Sequence, residues 1–508
     1  MRKLILTLVL MSIAAPVAVG CGSEGEAASG AAELVPAGAV MYAEATLKPE
    51  GDQKEAIDAI LAKFPGGGQA GDKLKDLIEK GLRESDAPIS FKEDIEPWLG
   101  DEAAFFVSGL NASGSPQSAA GLIATEDEDK ARAALEKSAE GKVSTKTYKD
   151  VEYLTDETDE AGAVFDGFLV IGSEAGVKAA IDTSKGGETL SDDEQYGNAL
   201  DDAADDRLGL FYVNSPELMR AVRESGTPFP DSFRKFFDEP VVATLDADED
   251  GVVFEGTVPE DLGRASFFGQ ASEVVTELPG DSWLALGQSD FGKLLDYYVE
   301  AFAGVAGGRD AIEQQFTAAT GLDLQKDVLD WMGDFGIFVR GRSVPELDGA
   351  LVVETNDEAA SGRFITALER LAKTQGQGEV QIGPLAASGG GEGFTAEGAG
   401  VPKPIHVFQR DGRVVFAYGD AAASDAVGAG DTLGDSPDYR AASESLGDYD
   451  VSFYLLMQPI FDLVDSTESA GDPDWQKAKP YLEPLSALVA GTSGDGDSLR
   501  SALKLIVK

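Results

Sequence analysis

The stretch Asp94–Gly109 reads DIEPWLGDEAAFFVSG, and Asp327–Gly341 reads DVLDWMGDFGIFVRG. Asp94, Trp98, Gly100 and Asp101 return as Asp327, Trp331, Gly333 and Asp334 at one offset of 233 residues, in a chain with four tryptophans. A phrase written twice in matched context asks for two similar units, and the rest of the chain answers in the same order. ELVPAGAVMYAEA (33–45) is matched by ELPGDSWLALGQS (277–289), each a turn followed by a short apolar run that reads as a strand. Ile57, Ile60, Leu61 and Phe64 hold the i, i+3, i+4, i+7 spacing of an amphipathic helix, as do Phe291, Leu294, Leu295 and Tyr298. Further on, GFLVIGSEAGVKAAID is matched by RVVFAYGDAAASDAVG, and LGLFYVNSPELMRAV by VSFYLLMQPIFDLV.

These landmarks predict two tandem copies of one α+β unit, over 32–262 and 272–508, joined by a linker at 263–271. Each copy reads as roughly seven strands with five or six helices. Short turns between strands imply a largely antiparallel sheet packed with helices. The Trp-Gly-Asp phrase is expected to be a structural corner. Helical spacing puts Ile95 with Trp98 and Leu99, and Val328 with Trp331 and Met332, on one apolar face, so both indoles should be buried. Gly100 and Gly333 then fall where a helix stops and a strand begins, a place that favours positive φ. Asp101 and Asp334 complete the corner.

The 508 residues suffice for several cores, and 41 Lys+Arg against 91 Asp+Glu leave a net charge of -50. Such a surface repels nucleic acid and anionic headgroups, which bind through Lys/Arg clusters. The N-terminus has basic Arg2 and Lys3, an apolar run from Leu4 to Gly20, and then Cys21. Residues 1–20 are therefore expected to be a signal peptide. Ala18-Val19-Gly20-Cys21 resembles the lipobox of bacterial lipoproteins, in which the cysteine is acylated (palmitate among its chains) and becomes the first mature residue. Cys21 is the chain's one cysteine, so no internal disulfide can form. Residues 21–31 read as a flexible tether. The expected location is the cell membrane, lipid-anchored, facing outside the cytoplasm.

The opening LVPAGAVMYAEATLKPEGDQKEAIDAILAKFP, the D-x-x-P-W-L-G-D phrase and the lipoprotein-like start resemble the bacterial domain-of-unknown-function family 3352. That resemblance implies an exported, often membrane-attached protein, and carries no catalytic residues to transfer.

Catalytic equipment is sparse. His406 is the one histidine, which excludes zinc sites built on two or three; it reads as a strand residue without a catalytic role. Ser232-Phe233-Arg234-Lys235 spells S-x-x-K, but S-D-N and K-T-G do not accompany it. Gly66 and Gly71 have phosphate-loop spacing with Asp72 in place of the lysine, so FPGGGQAGDK reads as a loop between helices. AASGGGEGFTAEGAG, around Gly390, reads as a loop inserted in the second unit. Asp246, Asp248 and Asp250 reproduce the first half of a calcium loop, the one cofactor suggestion in the chain, although position 12 is Thr257 and only Asp495 and Asp497 remain in the second unit. Gly186–Asp206 holds eight acids and no Lys or Arg, a solvated face or a seat for a cation or basic partner. The reading is a non-catalytic binding or interaction protein of the envelope, with its ligand or protein partner unidentified. The alternatives are a structural envelope protein without a small ligand and an Asp/Glu-dependent hydrolase.

Overall fold

The computed structural model describes residues 30–84, 88–110, 115–139, 143–200, 206–224, 238–259, 269–375, 380–385, 391–398, 400–428, 430–494 and 498–508. The chain divides into two compact units, Met1–Val258 and Pro259–Lys508.

In the first unit a 3-10 turn, Ala31–Leu34, leads into β1 (Met41–Thr46), α1 (Gly51–Ala62) and α2 (Ala70–Glu84). A single π-type turn at Phe91–Ile95 precedes the hairpin β2 (Leu99–Leu110) and β3 (Pro116–Thr125). Then come α3 (Glu128–Ser138), β4 (Ser144–Tyr148), β5 (Val151–Thr155), β6 (Glu160–Phe165), β7 (Phe168–Ser173), α4 (Glu174–Ser184) and α5 (Glu194–Ala199). The unit closes with β8 (Gly209–Val213), α6 (Ser215–Glu224), β9 (Val241–Asp248) and β10 (Gly251–Pro259). The described pairings are all antiparallel, in the spatial order β4-β5-β6-β7-β3-β2-β1-β8-β9-β10.

The second unit begins with α7 (Val274–Glu277), β11 (Leu284–Gln288), α8 (Phe291–Ala306) and α9 (Arg309–Thr320), then a π-type turn at Gln325–Leu329. It continues through β12 (Met332–Arg340), β13 (Asp348–Thr355), α10 (Glu358–Gln375), β14 (Val380–Pro384), β15 (Glu392–Gly398), β16 (Val401–Arg410), β17 (Arg413–Tyr418) and α11 (Asp420–Asp425). It ends with α12 (Pro437–Ser445), β18 (Asp450–Leu456), α13 (Met457–Asp465), α14 (Pro473–Leu482), β19 (Leu485–Ser493) and β20 (Ser498–Val507). Its antiparallel order, β14-β15-β16-β17-β13-β12-β11-β18-β19-β20, is that of the first sheet, strand for strand.

Each sheet is covered on both faces, which explains the solid apolar runs at its centre. In β7, Phe168 and Val170 join one core with Val177, Ile181, Leu190 and Tyr196, while Leu169 and Ile171 join the other with Trp98, Ala131 and Leu135. The second unit repeats this with Val415 in one core and Val414 beside Trp331 in the other. Asp166-Gly167 and Asp411-Gly412, all at positive φ, form the two-residue turns joining β6 to β7 and β16 to β17.

The fold class is α+β with a large antiparallel sheet, as expected, but each unit has ten described strands rather than seven. The additions lie mostly in the β4–β6 and β14–β16 meanders. Glu392–Gly398, expected in a loop, is strand β15, paired on both sides. Ser232–Lys235, Cys21, Asp495 and Asp497 lie outside the described residues.

Candidate functional site

The repeated phrase folds into the same corner twice. The Trp98 indole N–H donates to the Asp94 carbonyl, and the Trp331 indole N–H donates to the Asp327 carbonyl at 3.0 Å. Asp94 Oδ2 accepts the Ser90 N–H at 2.8 Å, and Asp327 Oδ2 accepts the Asp323 N–H at 3.0 Å. The helix after the following strand supplies a cation to each: Lys137 lies 2.6 Å from Asp94, and Arg363 lies 2.7 Å from Asp327. Burial alone would raise the Asp94 carboxyl, but hydrogen bonds from Lys137 and the Ser90 N–H hold it below its ordinary range. The Asp323 N–H and then Arg363 do the same for Asp327. Both indoles are buried, Trp98 against Ile95, Leu99 and Leu135, and Trp331 against Val328, Met332 and Ile365. Both indoles and the carboxylates of Asp94 and Asp327 are turned to holding the chain.

The glycine expectation fails in an informative way. Neither Gly100 nor Gly333 has positive φ; both lie within strands. At Gly100 an added Cβ would sit 2.7 Å from the backbone of Ala124, so it is close approach of the neighbouring strand that requires glycine. At Gly333 the nearest atom would be Glu354 O at 3.3 Å.

A β-bulge separates the two aspartates. Between Leu99 and Ala103 the first unit spends one more residue than the second does between Met332 and Phe335. Asp101 is exposed, whereas Asp334 accepts the Ser272 hydroxyl at 2.6 Å and the Asp290 N–H at 3.2 Å. Ser272 Oγ in turn accepts the Val274 N–H. In the first unit the extra residue, Glu102, reaches the corresponding N–H of Ala31 directly at 3.0 Å. Sequence matching pairs Asp101 with Asp334; the hydrogen bonds pair Glu102 with it.

Glu102 also belongs to a half-buried polar group around the buried Tyr42. Tyr42 Oη donates to Glu44 Oε2 at 2.7 Å, and Arg207 lies 2.6 Å from Glu44 Oε1. Burial, then Glu44 and Asp101, push the Glu102 carboxyl up to about 7 against the Ala31 N–H and Arg207.

The calcium reading does not hold. Among the described residues no group of three or more His, Cys, Asp or Glu could hold a metal ion. Asp248 Oδ1 instead accepts the N–H groups of Asp250 and Gly251 at 3.0 and 2.9 Å, closing the β9–β10 hairpin. Asp246 lies within β9, paired to Val253, so the three aspartates follow a strand and its turn rather than circling a point. In the acidic run, Asp193 caps α5 and Asp192 accepts the Thr189 hydroxyl. His406 is buried between Thr395 Oγ1, 3.0 Å from Nδ1, and Asp420 Oδ1, 2.9 Å from Nε2. Carboxylate, imidazole and hydroxyl are in line, but Thr395 is itself buried, so the hydroxyl serves as a partner to the ring.

A cleft in the second unit was not legible in the sequence. In the second unit a cleft of about 520 Å³ is lined by Asp281, Trp283, Arg340, Asp438 and Tyr454 among others. A neighbouring hollow of about 690 Å³ shares Asp281, Arg340 and Ser436 with it. Arg340, buried at the end of β12, meets Asp348 at 2.6 Å, Asp425 at 2.8 Å and Asp281 at 3.1 Å. Burial works against its charge, but the hydrogen bonds to Asp348, Asp281 and Asp425 outweigh it and hold the guanidinium in the charged form. The Trp283 indole donates to the Gly341 carbonyl at 2.9 Å. Gly341 has φ of +100°, and a Cβ there would sit 2.7 Å from the Glu346 backbone, so only glycine turns the loop under this wall. Tyr454 is 1% exposed and lines the cleft, and its hydroxyl has no hydrogen-bond partner among the described residues.

The family model described as "Protein of unknown function (DUF3352)" matches residues 4–392. The chain belongs to this family. No curated protein matches. Two solved structures of TP0453 are similar at 8% identity: crystal form IV covers 49% of this chain and 89% of its own with a TM-score of 0.24. Crystal form I covers 46% and 79% with a TM-score of 0.23. Likeness at this level says nothing of function. No helix among the described residues is long and apolar enough to cross a membrane.

Proposed function

We propose that this chain is a lipid-anchored, extracytoplasmic envelope protein that binds a ligand without transforming it, built from two copies of one α+β unit. The observation that carries the binding reading is the cleft of the second unit, where the buried Tyr454 ring turns its hydroxyl to open volume. A hydroxyl held on a buried ring and open to the cleft is a fixed polar group that a bound molecule can use. Pockets of a few hundred Å³ with a few convergent polar groups suit small ligands. The hydrolase alternative has less support: Asp281, Asp348 and Asp425 are committed to one guanidinium rather than placed as an acid and a nucleophile.

The anchor rests on the signal-like N-terminus and Cys21. Coinciding strand order and matched corners support the two-copy reading. Native mass spectrometry of the protein taken from its own membranes tests the binding reading. A stoichiometric retained small molecule is the expected result. A bare mass, together with no saturable binding in a metabolite screen, leaves the structural-protein reading. Cys21→Ser should release the protein from membranes, and full membrane retention of that variant would remove the anchor.

A further inference from the structure

We infer that the cleft beside Arg340 receives an organic cation, an ammonium or guanidinium group carried on a short chain. This rests on the binding reading above and names its ligand class. Three observations converge. The first is charge: Arg340 is matched by Asp281, Asp348 and Asp425, and Arg342 is paired to Asp462 at 2.7 Å. Both guanidiniums are matched by carboxylates, while Asp438 and Glu346 add two more to the lining; among the described residues Asp438 meets only the exposed Lys508, at 4.0 Å, and Glu346 accepts the Arg342 N–H at 3.3 Å. The second is the unpartnered Tyr454 hydroxyl, which can accept an N–H from the ligand while donating to a carboxylate. The third is the wall: Trp283 and Tyr454 line the same volume, and aromatic rings attract organic cations in a way they do not attract metal aqua ions. The cation would lie between Tyr454 and Asp438, with its carbon chain along Trp283.

The corresponding place in the first unit keeps the tyrosine, as Tyr212, but lacks the charges and the tryptophan. Strand register puts Ser108 where Arg340 stands, Ser118 at Asp348 and Val40 at Trp283. The inference therefore assigns the site to the second unit alone.

The same chemistry could arrive as a free amine or as a basic side chain of a peptide. Isothermal titration of the purified full-length protein at low salt, with agmatine, spermidine and a blocked Gly-Lys-Gly peptide as probes, distinguishes the two. Saturable 1:1 binding of at least one probe is expected. Tyr454→Phe and Asp438→Asn should each weaken it at least about tenfold, the scale of a hydrogen bond to a charged group. Tyr212→Phe, the matching change in the first unit, should leave it unchanged. Tyr454→Phe removes one oxygen and keeps the ring, so folding is preserved, and an unchanged circular dichroism melt checks this. Binding by the amines alone assigns a free ligand, and binding by the peptide alone assigns a protein partner. Three results would overturn the inference: no saturable binding of any probe, equal weakening by Tyr212→Phe, or binding insensitive to both cleft variants. A retained neutral or anionic ligand in the native mass spectrum would sink the cation assignment while leaving the binding reading intact.

Discussion

Tyr42 and Ala285 hold the same register position in the two units. Tyr42 pairs across to Phe106 and Tyr212, and Ala285 to Phe338 and Tyr454. Around Tyr42 the first unit gathers the half-buried Glu44, Glu102 and Arg207. Around Ala285 the second unit has Gly287, where an added Cβ would lie 2.6 Å from Val275, so α7 packs directly on the strand. The relation reverses at the far end of the same strands. There the second unit buries Arg340 among carboxylates, and the first has the hydroxyl pair Ser108 and Ser118, 2.8 Å apart. One scaffold thus carries two polar centres at two different places. The scaffold depends on features common to both units, and any specialised role must lie in what they do not share.

The shared corner should carry the largest effect. Trp98→Ala and Trp331→Ala each remove a buried indole and should each destabilise their own unit by about 3–5 kcal/mol. Denaturant unfolding followed by circular dichroism, with the two transitions resolved by calorimetry, checks this. A loss confined to ligand binding, with both transitions unmoved, would break the structural account of the corner.

Next come the unshared centres. Arg340→Met leaves the buried Asp348 carboxylate without its partner and should cost the second unit roughly 3 kcal/mol, whereas Ser108→Ala should cost the first under about 1 kcal/mol. Equal effects would mean that the two places are energetically alike despite their different residues.

These contrasts also mark what could be read before the structure. The corner was legible because Trp, Gly and Asp are scarce or conformationally particular types in fixed order. The edge meanders were not. Ser144–Tyr148 is exposed almost throughout, so it carries no apolar alternation to betray a strand, and its turn uses Lys149-Asp150 at positive φ rather than an Asn-Gly pair. Arg340 was hidden for another reason. Its partners are 59, 8 and 85 positions away in the chain, and only antiparallel registry and the last residue of α11 bring them together. Glu102 was missed because a bulge, which sequence spacing does not announce, shifts it into the place that Asp334 holds.

Glu102 gives the comparison a pH signature on the order of 2 kcal/mol. Its carboxyl titrates at about 7 in the folded chain against an ordinary value of 4.5. The folded state therefore holds a proton that the unfolded state releases between those values, and stability of the first unit must fall as pH rises from 4.5 towards 7. Hydrogen exchange at the amides of β1 to β3 reports the first unit's unfolding separately from the second's. Glu102→Gln should flatten the slope. Asp334→Asn in the second unit should leave it unchanged. An unaltered slope in Glu102→Gln would place the titration elsewhere in the cluster.

The smallest effect should separate two glycines that the sequence presents as equals. At Gly100 the added methyl of Gly100→Ala would meet Ala124 backbone at 2.7 Å, an approach that no side-chain rotation relieves. The strands must part there, and overpacking of this kind costs typically about 1–3 kcal/mol; the lower end applies here because a bulge yields more readily than a straight ladder. At Gly333 the same methyl would meet Glu354 O at 3.3 Å, and the shorter bulge can absorb a few tenths of an ångström. Gly333→Ala also removes backbone freedom from the unfolded chain, which stabilises by about 0.4–1 kcal/mol where the native φ suits alanine, as it does here. The two terms nearly cancel, so Gly333→Ala should be close to neutral while Gly100→Ala destabilises. Urea midpoints for the two variants decide the matter. Equal losses at both sites would mean that the extra residue in the first unit's bulge changes the path of the strand without tightening it.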